Sequence, residues 1–306
     1  MKVSGFTFIR NAVQNDYAIV EAITSILPIC DEFIVAAGNS TDNTNQLIAN
    51  INSPKIKIIN TTWDEQLREG GKVFAEETNK AFNAISPDAD WAFYIQGDEC
   101  VHEKYLPLIR QEMETCLTDK RIEGLLFKYL HFYGSYDYFA DSRNWYRREI
   151  RVVRNDKRIH SYRDAQGFRI DGRKLNVKLI DAYIYHYGWV KPPHGLVNKI
   201  RNFNQYYDKN AIYEPPVATA TFDYGNAGMI KPFTGGHPGV MLERIRSTNW
   251  KFTTDIAKMS SYSLRKKILN KIYQYTGIRI GEYKNYRLLK LKLNNPVSFY
   301  NDQYPS

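Results

Sequence analysis

Asp98 and Glu99 follow the apolar run Trp91-Ala92-Phe93-Tyr94-Ile95 with only Gln96 and Gly97 between. A run of that length suits a buried strand, and its end is the edge of a sheet. Two carboxylates held there repel each other and lose solvation. A divalent cation shared with a phosphate is the common compensation. The residues alone also allow a plainer reading, in which both carboxylates cap the following turn. No His-Glu-x-x-His occurs, and His194 stands eight residues after His186 without zinc-ligand spacing, so a zinc protease is excluded.

The elements that must position these carboxylates read in a regular order. Strand-like runs at 3–9, 32–37, 56–59 and 91–95 alternate with helical patterns at 16–27, 45–50 and 73–84. That β–α alternation predicts a mainly parallel sheet with helices on both faces, an α/β fold of Rossmann-like type. Ligands of such sheets bind beyond the strands' C-terminal ends, where Arg10, Asn39 to Asp42 and Asp98 fall. Further on, the sequence predicts a helix over 106–117, strands over 124–130, 148–154 and 182–187, and a helix over 196–207. It predicts a polar aromatic loop over 131–139. Pro215-Pro216 and the Gly/Pro-rich stretch 225–239 read as a linker or lid.

The chain has 306 residues, 43% hydrophobic, enough for one large domain with an appendage. Its 23 tyrosines suit sugar or base contacts, or reflect no more than compositional habit. Three cysteines without a motif predict a reduced, cytoplasmic protein. No signal-peptide pattern opens the chain, and no run of 18 apolar residues predicts a membrane span. The net charge of +9 is local: 258–292 holds ten Lys or Arg against Glu282 alone, which accounts for all of it. The remainder is neutral, which argues against nucleic acid as a partner. Within that basic region Leu264, Ile268, Leu269 and Ile272 mark an apolar stripe among lysines. Such a helix either lies peripherally on an anionic membrane or packs on the core.

Four segments carry a resemblance: Phe8-Ile9-Arg10-Asn11, Asn39-Ser40-Thr41-Asp42-Asn43-Thr44, the stretch from Gly71 to Asn79, and Tyr94-Ile95-Gln96-Gly97-Asp98-Glu99. In order and spacing they resemble the family 2 glycosyltransferases of GT-A fold over roughly residues 3 to 210. The resemblance implies a GT-A domain over 1–214, followed by a linker or lid and a basic C-terminal extension over 215–306. It implies transfer of a sugar from a nucleotide-diphosphate sugar to a hydroxyl of a glycan or lipid-linked glycan, with inversion. It places the protein in the cytoplasm or at the inner membrane face.

The resemblance also assigns residues. Asp98 fills the second position of the family's Asp-x-Asp motif, with Gln96 at the first, and His186 corresponds to a late-strand His that completes a metal sphere. Imidazole with carboxylate oxygens suits Mn2+, with Mg2+ the alternative. Glu99 is expected to support the ligands by hydrogen bonds. Phe8, Arg10, Asn11, Asn39, Asp42, Gly71, Thr78, Asn79, Gln96, Gly97 and Asp98 are the implied nucleotide-sugar contacts. Ala37-Gly38 replaces the Asp-Asp of many members, and Asn39 or Asp42 is the expected compensation, although Asp42 suits a helix cap equally well.

A carboxylate must deprotonate the acceptor hydroxyl. Asp164, in an expected loop, is the candidate; Glu149 is the alternative and Asp141 an outsider. Glu149 is expected to be ion-paired with Arg147, Arg148 or Arg151, which would lower its pKa. His131, Tyr133, Tyr136, Trp145 and Trp189 are the aromatic candidates for the acceptor. A protein of the same fold that binds nucleotide or glycan without chemistry is the competing reading, motivated by Gln96 and Ala37-Gly38. A sugar-phosphate nucleotidyltransferase is disfavoured, because no Gly-rich phosphate loop follows the first strand.

Overall fold

The computed structural model describes residues 1–207, 229–252, 264–276 and 279–290. Elements follow the chain as β1 (Val3–Ile9), α1 (Ile19–Ile26), β2 (Glu32–Ala37), α2 (Thr44–Ala49), β3 (Ile56–Asn60), α3 (Lys72–Asn83) and β4 (Trp91–Tyr94). Then come β5 (Glu99–Val101), α4 (Leu106–Cys116), β6 (Gly124–Tyr133), β7 (Ser135–Ala140), β8 (Arg148–Arg154), β9 (Ile159–Tyr162), β10 (Gly167–Ile170) and β11 (Arg173–Lys174). β12 (Asn176–Trp189), α5 (Pro193–Asn204), β13 (Ile230–Pro232), α6 (Leu242–Arg246), α7 (Leu264–Thr276) and β14 (Arg287–Leu288) complete the order.

One mixed sheet runs β13-β7-β6-β8-β4-β1-β2-β3, with β12 beside β6. Its N-terminal half, β4-β1-β2-β3, is parallel. β8 then joins β4 and β6 antiparallel. This is the Rossmann-like, mixed α/β arrangement expected of the sequence. β2 lies between two strands and every residue of it is buried, which suits its unbroken Phe-Ile-Val-Ala-Ala run.

Alternation along the strands divides the core in two. Phe33 and Phe93 pack on one face with Ile19, Ile23, Ile26, Ile109 and Met113 of α1 and α4. Ile34 and Tyr94, one residue on, pack on the other face with Val73 and Phe82 of α3 and Phe168 of β10. The helices fit because their apolar residues recur at three- and four-residue spacing, as in Ile19, Ala22, Ile23 and Ile26.

The 131–139 segment departs from expectation. It is not a loop: β6 runs on to Tyr133, turns at Gly134 (φ 74°) and returns as β7. The residues of β6 are buried throughout, whereas β7 leaves Asp137 exposed, hydrogen-bonded to Ser135. β13 and β14 extend the sheet at β7 and at the start of β12. Residues 215–228 of the expected linker, including Pro215-Pro216, and residues 258–263, 277–278 and 291–292 of the basic region lie outside the described residues. Among the described residues no helix is long and apolar enough to cross a membrane. Cys30, Cys100 and Cys116 are buried free thiols.

Candidate functional site

The turn after β4 and the end of β12 meet at the rim of the parallel sheet. The Tyr187 amide donates to the Asp98 carbonyl at 2.8 Å and pins the two segments together. The side chains then converge: His186 Nε2 lies 3.8 Å from Asp98 Oδ1, and Lys199 of α5 donates to Asp98 Oδ2 at 2.9 Å. The same ammonium donates to the Gly188 carbonyl at 2.9 Å. A Cβ on Gly188 would stand within 2.7–2.8 Å of His186 Nε2, Lys199 Nζ and Asp98 Oδ2, so only glycine leaves this cradle open.

Charge follows geometry. Burial alone would raise the Asp98 pKa, but Lys199 and His186 outweigh it and hold the carboxyl well below the usual range. Burial lowers the pKa of His186, opposed by Asp98 and reinforced by Lys199. Lys191, buried against the Tyr17 ring, is pushed down to about 7 by burial and by Lys199.

Glu99, next to Asp98 in sequence, does something else. Its carboxylate takes a two-pronged ion pair from Arg151 (2.7 and 2.8 Å), a hydrogen bond from the Tyr129 hydroxyl (2.8 Å) and one from the Gln96 amide (3.1 Å). It supports the rim by fixing the backbone at Gln96. The Gln96 side-chain amide donates to Tyr94 Oη and to the Ala165 carbonyl, tying this turn to the β9–β10 loop.

Among the described residues there is no group of three or more His, Cys, Asp or Glu side chains able to hold a metal. Asp98 and His186 still fit one. They offer an oxygen and a nitrogen across an open cradle, which matches Mg2+ or Mn2+ held by one or two protein ligands, with phosphate and water completing the sphere.

The rim opens on a cavity of about 830 Å3, a size typical of a cofactor or substrate site. Of the residues that the resemblance singles out, Phe8, Arg10, Asn11, Gln96, Gly97, Asp98 and Asp164 line it. One wall is an aromatic box of Phe8, Trp63, Phe74 and Tyr206. Arg10 reaches Tyr206 Oη (2.9 Å) and Glu65 (2.8 Å) over the Trp63 ring. Gly38 explains the missing Asp: a Cβ there would sit 2.4 Å from the Trp63 indole nitrogen. The indole fills the space that a side chain at this position would need. Trp63 Nε1 and Arg10 Nε are buried donors without a protein partner among the described residues.

Several expected contacts fall away from the cavity lining. Asp42 accepts from the amides of Gln14 (2.8 Å) and Thr44 (3.0 Å) and closes its own loop. Asn39 accepts from the Trp63 amide. Thr78 is buried in α3, donating to the Phe74 carbonyl, and Asn79 accepts from the Ser161 amide at 2.7 Å. The amides of Gly70 and Gly71 donate to the carbonyls of Tyr207 and Tyr206. These groups satisfy local backbone, so they shape the cavity from behind.

Asp164 projects from the β9–β10 loop into the cavity, and Tyr207 Oη donates to it at 3.1 Å. Its two neighbours, Arg163 (φ 57°) and Ala165 (φ 62°), both adopt the left-handed region, a conformation costly for non-glycine residues and frequent at functional sites. Glu149 corrects the expectation of an ion-paired, lowered carboxyl. Arg151 is committed to Glu99, Glu149 has no ion pair among the described residues, and its Oε2 has no hydrogen-bond partner there. Burial, with the charges of Glu99 and Asp164, pushes it up to about 8. It does not line the cavity. Asp141 is ion-paired to Lys231, away from it.

Among the aromatic candidates, His131, Trp145 and Trp189 line the cavity. Tyr133 instead stacks beneath Trp189, ring centres 5.8 Å apart, and Tyr136 packs with Tyr187 and His237 in a separate cluster. Sequence reasoning missed Lys199, Trp63, Tyr206 and Tyr207. For Lys199 the available signal was a lysine in the first helix after the His186 strand. Trp63 had none without the fold.

No family model matches the sequence, and no curated protein matches it. Among solved structures, the chain is similar to Staphylococcus aureus TarS 1–349 in complex with UDP, at 20% identity and a TM-score of 0.31, over 42% of this chain and 35% of that one. It is also similar to glucosyl-3-phosphoglycerate synthase from Mycobacterium tuberculosis in complex with Mn2+, UDP and phosphoglyceric acid. That match has 24% identity and a TM-score of 0.30, over 43% of each chain. A further TarS 1–349 structure aligns more widely, over 70% of this chain and 67% of that one, at 15% identity and a TM-score of 0.37. The chain thus spans less than half the length of the first two. At such scores these likenesses settle no chemistry for it.

Proposed function

We propose that this protein transfers a sugar from a nucleotide-diphosphate sugar to an acceptor hydroxyl, with inversion at the anomeric carbon. The convergence of Asp98, His186 and Lys199 on one cradle at the mouth of an aromatic-walled cavity carries the reading. The box of Phe8, Trp63, Phe74 and Tyr206 suits a nucleobase, since flat rings tolerate any base by stacking. The diphosphate lies at the rim, where Lys199 neutralises its charge as it leaves. Asp98 and His186 are the residues that would hold Mn2+ or Mg2+ there, and such a cation would supply positive charge to stabilise the departing diphosphate. Asp164 takes the proton of the acceptor hydroxyl while that oxygen bonds the anomeric carbon and the bond to the diphosphate breaks. Trp145 and Trp189 supply stacking faces for the acceptor. The acceptor is a glycan or lipid-linked glycan. On α7, Leu264 (75% exposed) and Ile268 (52%) are set to touch an anionic membrane.

Nucleotide release from a panel of UDP- and GDP-sugars, with Mn2+ and a mixed-glycan acceptor, tests this. Wild type releases nucleotide, Asp164→Asn loses about 10²–10⁴ in rate, and Asp98→Ala stops. Full release by either variant contradicts its assigned role. A second reading has two observations behind it: Lys199 occupies one oxygen of Asp98, and Gln96 stands where a carboxylate would strengthen a metal site. A binding protein without chemistry would take up nucleotide in calorimetry yet release none from any donor.

A further inference from the structure

We propose that His131 fixes the tautomer of His186, leaving His186 Nε2 bare toward Asp98. β6 and β12 run parallel with His131 directly opposite His186 in register. The two imidazoles touch through their Nδ1 atoms at 3.1 Å. At the far side of its ring, His131 Nε2 lies 2.7 Å from the Tyr146 carbonyl oxygen. A carbonyl only accepts, so His131 Nε2 must carry the hydrogen. His131 is 2% exposed and, among the described residues, no carboxylate bonds it, conditions under which an imidazole is kept neutral. Its Nδ1 is therefore a lone pair, and the short contact to His186 requires that His186 Nδ1 be the donor. A neutral His186 protonated at Nδ1 has a lone pair at Nε2.

That lone pair faces a carboxylate oxygen at 3.8 Å, too far for a hydrogen bond between them. Two acceptors turned toward one another across an open cradle repel unless a cation stands between. The relay from the Tyr146 carbonyl through His131 thus selects the form of His186 that can bind metal. Packing keeps the relay in place: His131 stacks on Tyr129 and lies edge-on to Tyr146, with ring centres 5.4 and 4.5 Å apart. His131 is a positioning residue and no longer a candidate for stacking on the acceptor. Its consequence for metal rests on the metal reading proposed above; the tautomer itself does not.

The test uses the full chain with 15N-labelled histidine, free of metal. Long-range 1H–15N correlation reads the tautomer of His186, assigned by its loss in His186→Gln. The expected pattern is Nδ1–H in the wild type. In His131→Leu, which removes the acceptor, it turns to Nε2–H. His131→Asn places an amide oxygen near the lost Nδ1 and restores it. Mn2+ affinity, followed by electron paramagnetic resonance, falls about 10–100-fold in His131→Leu and recovers in His131→Asn. An Nε2–H His186 in the wild type overturns the proposal without any variant having to fold, and an Nδ1–H His186 that persists in a folded His131→Leu overturns it as well. If the wild type shows Nδ1–H but binds no Mn2+, the relay stands and the metal reading falls.

Discussion

Asp98 and Glu99 are adjacent carboxylates, both buried, and they belong to different regions of the molecule in energetic terms. Glu99 points under the sheet edge, where Arg151, Tyr129 and the Gln96 amide satisfy it. Asp98 points to the rim, where one oxygen meets Lys199 and the other faces a histidine across a gap. A saturated carboxylate stabilises structure and does no chemistry. A partly satisfied one at a cavity mouth can exchange partners with a ligand. Spacing in the sequence does not distinguish them; the donors around each do.

The contrast breaks if Asp98 proves structural or Glu99 dispensable. The largest effect expected is on stability: Arg151→Met strands the Glu99 charge and costs about 3–5 kcal/mol in urea unfolding. Asp98→Asn gives up the Lys199 ion pair but keeps an oxygen for its ammonium, so it should cost clearly less stability than Arg151→Met while lowering nucleotide release about 10²–10³-fold. Stability loss in Asp98→Asn matching that of Arg151→Met would erase the distinction.

Glu149 sharpens it further as a carboxyl with neither arrangement. Its pKa is raised to about 8 in the folded protein, against 4.5 as the ordinary value. The folded state therefore holds its proton more tightly than the unfolded chain does. Stability is lost as pH rises from about 4.5 toward 8 and is flat below that window. Glu149→Gln should stabilise the protein by about 1–3 kcal/mol at pH 8, with the gain vanishing near pH 4.5, and should leave turnover unchanged. A loss of turnover comparable to Asp164→Asn would make Glu149 the base. The smallest effect is at Asp42: Asp42→Ala should cost about 1 kcal/mol of stability and leave nucleotide affinity unaltered in calorimetry.

Much of this was legible in the residues. The β–α alternation through Trp91 gave the parallel half of the sheet, because apolar runs bounded by turn residues leave little freedom there. The family resemblance implied that Asp98 and His186 share a site, and the structure brings them within 3.8 Å of each other. What failed did so for long-range reasons. Glu149 has Arg147, Arg148 and Arg151 as sequence neighbours, yet strand pairing sends Arg151 to Glu99. Asn39 and Asp42 carry the right chemistry, but their oxygens are taken by the amides of Trp63 and Gln14, 24 and 28 residues away along the chain. His131 was read as a loop aromatic because its run is rich in polar and aromatic residues, and only the register of β6 against β12 places it on His186. Lys199 is thirteen residues after His186 and reaches the rim only because α5 folds back over the end of β12.

The most direct test of the central claim is calorimetry of UDP binding to wild type and Asp98→Asn, each with Mn2+ and with chelator. We expect Mn2+ to tighten UDP binding to the wild type at least tenfold and to have no effect on Asp98→Asn. Equal affinities in all four titrations would contradict a cation held by Asp98 and His186 at the rim.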